Sequence, residues 1–281
     1  MALWDATRCC QGLHSSVQPT PSLLMLSVLG MIHLDRNALD DAEMSFKQTL
    51  QLHNQVDDVH GQADDHYVLG ETYMRRDELD NALKSFRQAL QLSEQSQYVQ
   101  RQADACLKLG ELHMRRDELD DAEMSFKLAL PLHNQADDVR GQATDHAMLG
   151  RIYLSRDELE DAKMSFKQAL KLHNQVDDVS DQADDHSNLG EIYKRRDELD
   201  DAEMSFKHAL RLHSQANDVR DQADDLSKLG ELHVRRDKLD DALTSLKQAL
   251  QLYEQLQYVL GQADVHRQLG ELHIRRDKRY G

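Results

Sequence analysis

The sequence contains few cysteine, proline and aromatic residues, and each shortage excludes a class of protein. Cys9 and Cys10 are adjacent and Cys106 stands alone, so the chain has neither a disulfide framework nor a CxxC metal motif. Adjacent cysteines bond to each other only with strain, which favours a reducing compartment. Only three prolines and 5% aromatic residues, without alternating β-branched runs, argue against a sheet. We therefore expect an all-α, cytoplasmic protein.

Positive charge is also scarce, because 34 basic residues face 51 acidic ones and leave a formal charge of −17. Phosphate backbones and anionic membrane surfaces are bound through Lys and Arg, so we expect neither nucleic acid nor a membrane as a partner. A basic or apolar peptide is the more natural complement. An acidic surface also serves simply to keep an elongated protein soluble.

The chain has no long hydrophobic run. Its N-terminus lacks a basic region that leads into an apolar one, so we expect no secretory signal. Residues 23–34, LLMLSVLGMIHL, fall short of the ~20 residues that span a bilayer. We interpret them as a degenerate first helix, with a membrane or partner contact as the alternative. Residues 1–21 do not match the rest of the chain and are predicted to be a non-repeat tail.

What the chain does contain is a repeat with a period of 40 residues. The stretch from Leu69 to Ala89, LGETYMRRDELDNALKSFRQA, returns in close variants, and such a period indicates a copied supersecondary unit. The glycine that marks each copy occurs at Gly30, Gly70, Gly110, Gly150, Gly190, Gly230 and Gly270. Residues 22–281 are therefore predicted to be one array of six helix pairs and a terminal unpaired helix, which either caps the array or marks a fragment.

Each copy predicts two helices. Helix A carries the glycine, and helix B carries Phe86 between Ala82 and Ala89 in the copy quoted above. We expect Asp77 to be the N-cap of helix B and the polar residues 137–142 to be typical of the loop from helix B to the next helix A. A glycine inside a helix costs about 1 kcal/mol relative to alanine, so its recurrence predicts a close approach of helix B and its Phe ring.

At these positions the sequence resembles the tetratricopeptide repeat, whose signature places Leu-Gly, Tyr, Ala, Phe and Ala at the spacing found here. The usual proline after helix B is missing, and the unit is longer than the common 34-residue form. It is similar to the 40-residue repeats of kinesin light chains, Leu-Gly-Asn adaptors and fungal NLR-type sensors. The resemblance implies an α-solenoid, a right-handed superhelix of antiparallel helix pairs, that acts as a non-catalytic protein-interaction scaffold.

The resemblance also implies that a peptide or helix of a protein partner binds in a concave groove lined by helices A. The groove candidates are the helix A positions that the core does not use. They are Tyr67, Glu71, Met74, Arg75, Leu107, Glu111, Met114, Arg115, Arg151, Leu154, Ser155, Ser187, Glu191, Lys194, Arg195, Glu231 and Arg235. We expect apolar anchors of the partner to lie over Tyr67, Met74, Leu107 and Met114.

The candidates one and five residues after the glycine form a ladder of Glu and Arg. Since Glu precedes Arg by four residues, each pair either bonds within its own helix or offers the Arg fork to a ligand carboxylate. The copy at Gly150 breaks the ladder, because it carries Arg151 and Ser155 instead. Arg76 and its equivalents six residues after each glycine are expected to bond carbonyls at the end of helix A.

No GxSxG, Walker or Rossmann pattern is present, and the 15 histidines form no HExxH or similar metal motif. We therefore expect no enzyme, no cofactor and no metal. Two alternatives to the scaffold remain, namely the ligand-sensing repeat region of a larger NLR-type signalling protein and a self-assembling structural array. The expected state is a monomer or a weak self-associate.

Overall fold

A computed structural model of the protein describes residues 21–280, with the side chains of residues 23–278. The part of the predicted tail before Pro21, with Cys9 and Cys10, lies outside the described residues. Thirteen helices, α1 to α13, occupy the described range. In chain order they are Pro21–Asp35, Leu39–Gln55, Val59–Arg75, Leu79–Gln95, Val99–Arg115, Leu119–Gln135, Val139–Ser155, Leu159–Gln175, Val179–Arg195, Leu199–Ala216, Val219–Arg235, Leu239–Gln255 and Val259–Tyr280.

The fold class is the α-solenoid of tetratricopeptide type, and it is arranged in two compact units. Unit one is Met1–Ala136 and its described part contains α1 to α6, whereas unit two is Asp137–Gly281 and contains α7 to α13. Odd-numbered helices are helices A and even-numbered ones are helices B. Within each unit consecutive helices pack as antiparallel neighbours, since the turns between them are too short for any other arrangement. The outer limits of the array at 22 and 281 stay a prediction.

The turn from helix A to helix B differs from the prediction, because Asp77 is not an N-cap. Its φ is +61°, in the left-handed region, and Glu78 is the residue that precedes the first turn of α4. The Asp77 amide donates to Met74 O over 3.2 Å and the Glu78 amide donates to Tyr73 O over 2.9 Å. These bonds close the end of α3 in the manner of a Schellman motif, which needs one left-handed residue and tolerates Asp or Asn.

The turn from helix B to the next helix A is shorter than predicted, with three residues between α2 and α3. Asp57 has φ +52°, and Asp58 is a true N-cap whose carboxylate accepts from the Gly61 amide over 3.2 Å. A left-handed Asp, Asn or Gln thus recurs at every turn among residues 21–280. These residues are Asn37, Asp57, Asp77, Gln97, Asp117, Asp137, Asp157, Asp177, Asp197, Asn217, Asp237 and Gln257.

The predicted contact between the glycine and the Phe ring is confirmed. A Cβ built on Gly70 would lie 2.6 Å from Phe86 Cε1, and Phe86 is fully buried. The same contact joins Gly190 to Phe206, where the separation from Cδ1 would be 2.7 Å. Because an added methyl group cannot fit at these distances, helix A reaches helix B only through a residue without a side chain. Gly270 is different, since nothing lies within 4 Å of its added Cβ.

Buried histidine–aspartate pairs, which the repeat signature does not reveal, join helix B to the next helix A. His53 Nδ1 lies 2.5 Å from Asp65 Oδ2, and Thr49 donates to the other carboxylate oxygen. His173 and Asp185 repeat the pair at 2.7 Å. Burial lowers the pKa of His53, but the Asp65 carboxylate outweighs it and raises that pKa above the ordinary histidine value.

The sequence carries a signal for these pairs, because the two positions change together. Where helix B has His at this position, helix A has Asp twelve residues later, and where the His is replaced the Asp is also lost. The six combinations are His53 with Asp65, Ser93 with Ala105, His133 with Asp145, His173 with Asp185, His213 with Asp225, and Tyr253 with Val265.

The apolar stretch at residues 23–34 lies in α1, the first helix A. Leu23 and Leu34 are buried, and Gly30 faces the Phe46 ring as Gly70 faces Phe86. Met25 and Val28 on the opposite side are exposed. Each helix within residues 21–280 falls short of the length or the apolar character that a membrane-crossing helix requires.

We predict that Gly190→Ala lowers the free energy of unfolding by about 1–3 kcal/mol, because the methyl group overlaps the immobile Phe206 ring. Gly270→Ala is the matched control. It adds the same methyl group to a helix where nothing opposes it, so it should raise stability by up to about 1 kcal/mol. Urea unfolding followed by circular dichroism measures both, and shifts of the same sign would contradict the packing argument.

We also predict that Asp65→Ala costs about 3–5 kcal/mol of stability, since it strands a buried imidazolium. Adding His53→Ser should restore most of the loss, because the chain itself combines Ser93 with Ala105. The pair's stabilisation has a defined pH dependence. Because the pKa of His53 is raised in the folded protein, the pair stabilises the fold fully at pH values below the unfolded histidine pKa of about 6.5. That stabilisation is lost as the pH rises through the folded pKa. Wild type and the double variant should therefore converge on going to alkaline pH, and parallel pH profiles would refute this.

Candidate partner-binding surface

The arginines of the predicted ladder donate to backbone carbonyls of the preceding helix A, and among the described residues Arg195 alone also bonds to its own Glu. In unit one, Arg75 Nη1 donates to Leu34 O over 2.7 Å, and Arg115 Nη1 donates to Met74 O over 3.0 Å. Unit two repeats the bond at 3.1 Å for Arg195, 3.0 Å for Arg235 and 3.2 Å for Arg275. Each Arg thereby adds a second donor to a carbonyl at the end of the preceding helix A, which also accepts from an amide of the turn.

Self-pairing within the ladder, expected as one of two alternatives, is wrong for most copies. In the part of the chain that the structure describes, the pair forms at Glu191 and Arg195, 3.2 Å apart. Glu111 instead pairs with Lys108 over 2.9 Å. Glu71 is half-buried, and burial raises its pKa even though Lys108 and nearby guanidinium groups oppose the change.

Two of the four expected apolar anchors lie inside unit one and not on a groove surface. Tyr67 and Met74 are each 6% exposed, in the cluster that holds Phe86. The Tyr67 ring meets Phe86 edge-on with centroids 5.7 Å apart, and the Arg101 guanidinium lies 4.2 Å above its centroid. Since neighbouring helices already cover them, these two side chains offer nothing to a partner. The other two, Leu107 and Met114, are half-buried.

Two polar candidates of unit two are also covered. Ser187 donates to Asp225 Oδ1 over 2.7 Å and is 5% exposed. Lys194 is 7% exposed, and its ammonium lies 2.7 Å from Glu191 and 2.9 Å from Glu231. A buried cation between two carboxylates holds adjacent helices A together, so the expectation that Ser187 and Lys194 face a partner is wrong.

The interruption of the ladder at Gly150 leaves an exposed cation. Arg151 is exposed, and its guanidinium contacts Met148 Sδ at 4.0 Å without an ion pair among the described residues. Ser155 is exposed and its hydroxyl donates to Ile152 O over 2.7 Å. Leu154 between them is half-buried against the cluster that contains Phe166. Arg151 is thus an exposed guanidinium that unit two leaves available to a carboxylate.

Five arginines that lie six residues after a glycine contact the preceding helix B of their own unit and not the end of their own helix A. They are Arg76, Arg116, Arg196, Arg236 and Arg276. Arg236 Nη1 donates to Glu203 over 2.9 Å and to Leu199 O over 3.2 Å, and Nη2 pairs with Asp200. In unit one Arg76 pairs with Glu43 and Asp40 in the same way. The expected carbonyl partners were therefore wrong. The structural role stands, because the contact joins consecutive repeats.

Two protein families match the sequence. The MalT-like TPR region matches residues 12–186 and the tetratricopeptide repeat matches residues 183–255. No curated protein sequence matches the chain.

Solved structures match the fold at low sequence identity. BtubC from P. vanneervenii is 18% identical with a TM-score of 0.68, covering 79% of this chain and 93% of that one. A STAND signal-transduction ATPase with a tetratricopeptide repeat sensor, from Pyrococcus horikoshii, is 14% identical with a TM-score of 0.78. That match covers 90% of this chain but only 41% of the ATPase. A Rap protein complexed with Competence and Sporulation Factor is 15% identical with a TM-score of 0.61, covering 97% and 80%.

We predict that Tyr67→Ala destabilises unit one by about 3–5 kcal/mol, since it opens a cavity beside Phe86. Met114→Ala truncates a half-buried side chain and should cost clearly less. Urea unfolding midpoints separate the two variants. Equal and small losses would show that Tyr67 is not a core residue.

Proposed function

Since the chain belongs to the tetratricopeptide repeat family, we propose that it is a non-catalytic scaffold whose helices A bind a segment of a protein partner. Support from a relative comes from the Rap protein, whose solved structure holds Competence and Sporulation Factor. The segment is a peptide or a helix laid across helices A. In unit two its contacts come from the exposed and half-buried candidates, with Ser187 and Lys194 set aside as core residues.

The observation that carries this proposal is the exposed guanidinium of Arg151, which has no ion pair among the described residues. A planar fork of donors suits bidentate binding of a carboxylate, and the same position in most other copies carries a carboxylate that would repel one. The chain as a whole is strongly acidic, so a segment of mainly basic and apolar residues with one carboxylate satisfies both conditions. The carboxylate binds Arg151, and an apolar side chain of the partner covers Leu154.

A second candidate function is the sensing region of a larger signalling protein. It is favoured by the Pyrococcus horikoshii ATPase, in which a repeat array is described as the sensor and of which this chain spans 41%. Here the same helices A bind a ligand whose presence is passed to a domain outside this chain.

Self-association is the third candidate, and the open face of α13 favours it. Nothing lies within 4 Å of a Cβ on Gly270, and Ile274 is 58% exposed. Light scattering over a concentration series tests this function, because self-association requires the mean mass to rise with concentration.

The test of the scaffold uses Arg151→Glu, which gives the copy at Gly150 the residue found in five other copies and should leave the fold intact. Partners are captured from native lysate and identified by mass spectrometry, and the segment responsible is then mapped and titrated. We expect the affinity of that segment to fall about tenfold or more, since a charge-assisted bond is replaced by repulsion.

The matched control is Arg211→Glu, which makes the same charge change at an exposed position of helix B. Its affinity for the segment should stay within about twofold of wild type. If both variants lose binding equally, general electrostatics and not the helix A surface is responsible. If Arg151→Glu binds as wild type does, the proposed site is wrong.

A further inference from the structure

Three side chains from consecutive helices of unit two converge around one buried imidazole. Asp184 comes from α9, His213 from α10 and Asp221 from α11. One ligating atom of each lies within 4.8 Å of those of the other two. His213 is 1% exposed, Asp221 is half-buried and Asp184 is exposed, so the cluster has a buried floor and an open side.

The imidazole is already oriented by its other nitrogen. His213 Nδ1 lies 2.7 Å from Asp225 Oδ2, and the other oxygen of Asp225 accepts from Ser187. His213 Nε2 therefore points toward the cluster, where it is buried and has no hydrogen-bond partner among the described residues. Its separation from Asp184 Oδ1 is 3.5 Å, longer than a normal hydrogen bond. A carboxylate that holds one histidine nitrogen while the other remains free is the arrangement of metal-ligating histidines.

The distances between the ligating atoms of Asp184, His213 and Asp221 suit coordination of a metal ion better than hydrogen bonds between the side chains. Zinc binds imidazole nitrogen and carboxylate oxygen at about 2.0–2.2 Å, which places adjacent tetrahedral ligands about 3.4 Å from each other. The Asp184–His213 separation of 3.5 Å meets that value. Bringing Asp221 within the same distance needs rotation of a half-buried carboxylate on the first turn of a helix.

We propose that Asp184, His213 and Asp221 bind one divalent transition-metal ion, with zinc as the best fit and with Asp225 orienting the imidazole. One imidazole and two carboxylates suit zinc, and three protein ligands leave a fourth position for water. The ion joins three consecutive helices of unit two. This site is separate from the helix A surface of the proposed function and does not depend on it.

The charge around the imidazole supports a cation at this place. Asp184 faces the imidazole from α9, and Asp221 and Asp225 face it from α11. These three neighbours are carboxylates, which attract a cation. A bound ion takes the place of the proton on Nε2, which passes to solvent.

Each of the other copies lacks the equivalent of at least one of these three ligands. The equivalents of Asp221 are Gly61, Arg101, Gly141, Asp181 and Gly261. Beside His173, Asp181 is retained with Oδ2 at 3.7 Å from Nε2, but Thr144 stands in place of Asp184. The hydroxyl of Thr144 donates to Arg140 O instead. His173 therefore serves as an internal control with one carboxylate ligand fewer.

The test is calorimetric titration of the metal-free full chain with zinc chloride, supported by cobalt(II) absorption, which reports the coordination geometry. We expect one saturable equivalent in wild type with tetrahedral cobalt bands. Asp221→Gly copies Gly141 and should lower the affinity at least 100-fold and abolish the bands. Asp225→Ala should lower the affinity about 10–100-fold while the bands remain.

Asp181→Gly makes the same substitution beside His173 and should change neither the affinity nor the bands. If Asp221→Gly is unfolded by circular dichroism, Asp184→Thr replaces it, since Asp184 is exposed and Thr144 occupies that place in another copy. The proposal is overturned if wild type shows no saturable site, or if the Asp221 or Asp184 variant binds as tightly as the Asp181 control.

Discussion

The stack depends on one close contact, in which the bare face of a glycine on helix A receives the side chain of a large apolar residue on the following helix B. At Gly150 the ring belongs to Phe166, and at Gly230 the contact is made by Leu246. Because a Cβ would overlap either side chain, this contact sets the rotation of helix A about its own axis. The rotation then decides that the residue two positions after the glycine, such as Ile192 or Leu232, is buried. It also decides which positions are left at the surface, and so it controls recognition as well as stability.

Polar groups inside the stack add a second constraint. It concerns which residues can face each other and not how closely the helices approach. A buried Asp65 or Asp185 is tolerated only where the preceding helix B supplies His, and the copies that lose one lose the other. Apolar contacts alone would allow the repeats to stack in many orders. A buried His–Asp pair forms only between two consecutive copies of which one supplies the His and the other the Asp.

The sequence was sufficient for the fold, because the glycine period, the Phe position and the helix pattern all reflect local packing. It was insufficient at Asp77, where an acidic residue before a helix resembles an N-cap but a short turn requires a left-handed residue. It also predicted Tyr67 and Lys194 on the groove surface, although both are buried. Helical periodicity does not show how many residues of one helix A are covered by the next helix A. The partners of the ladder arginines are backbone atoms of another copy, which no side-chain pattern reveals. The ligands around His213 lie on three helices, so no short motif exists for them.

The left-handed turn residues repeat every 20 positions, whereas the side chains that pack repeat every 40. The backbone alone therefore treats helices A and B as equivalent, and only their side chains tell them apart. Loss of 20 residues by unequal recombination would leave every turn intact but would place a leucine, the residue 20 positions after the glycine of each helix pair, where a glycine is required. Loss or gain of 40 residues restores every contact at the new junction apart from the paired polar groups. The array is thus free to change length during evolution, but only in whole repeats.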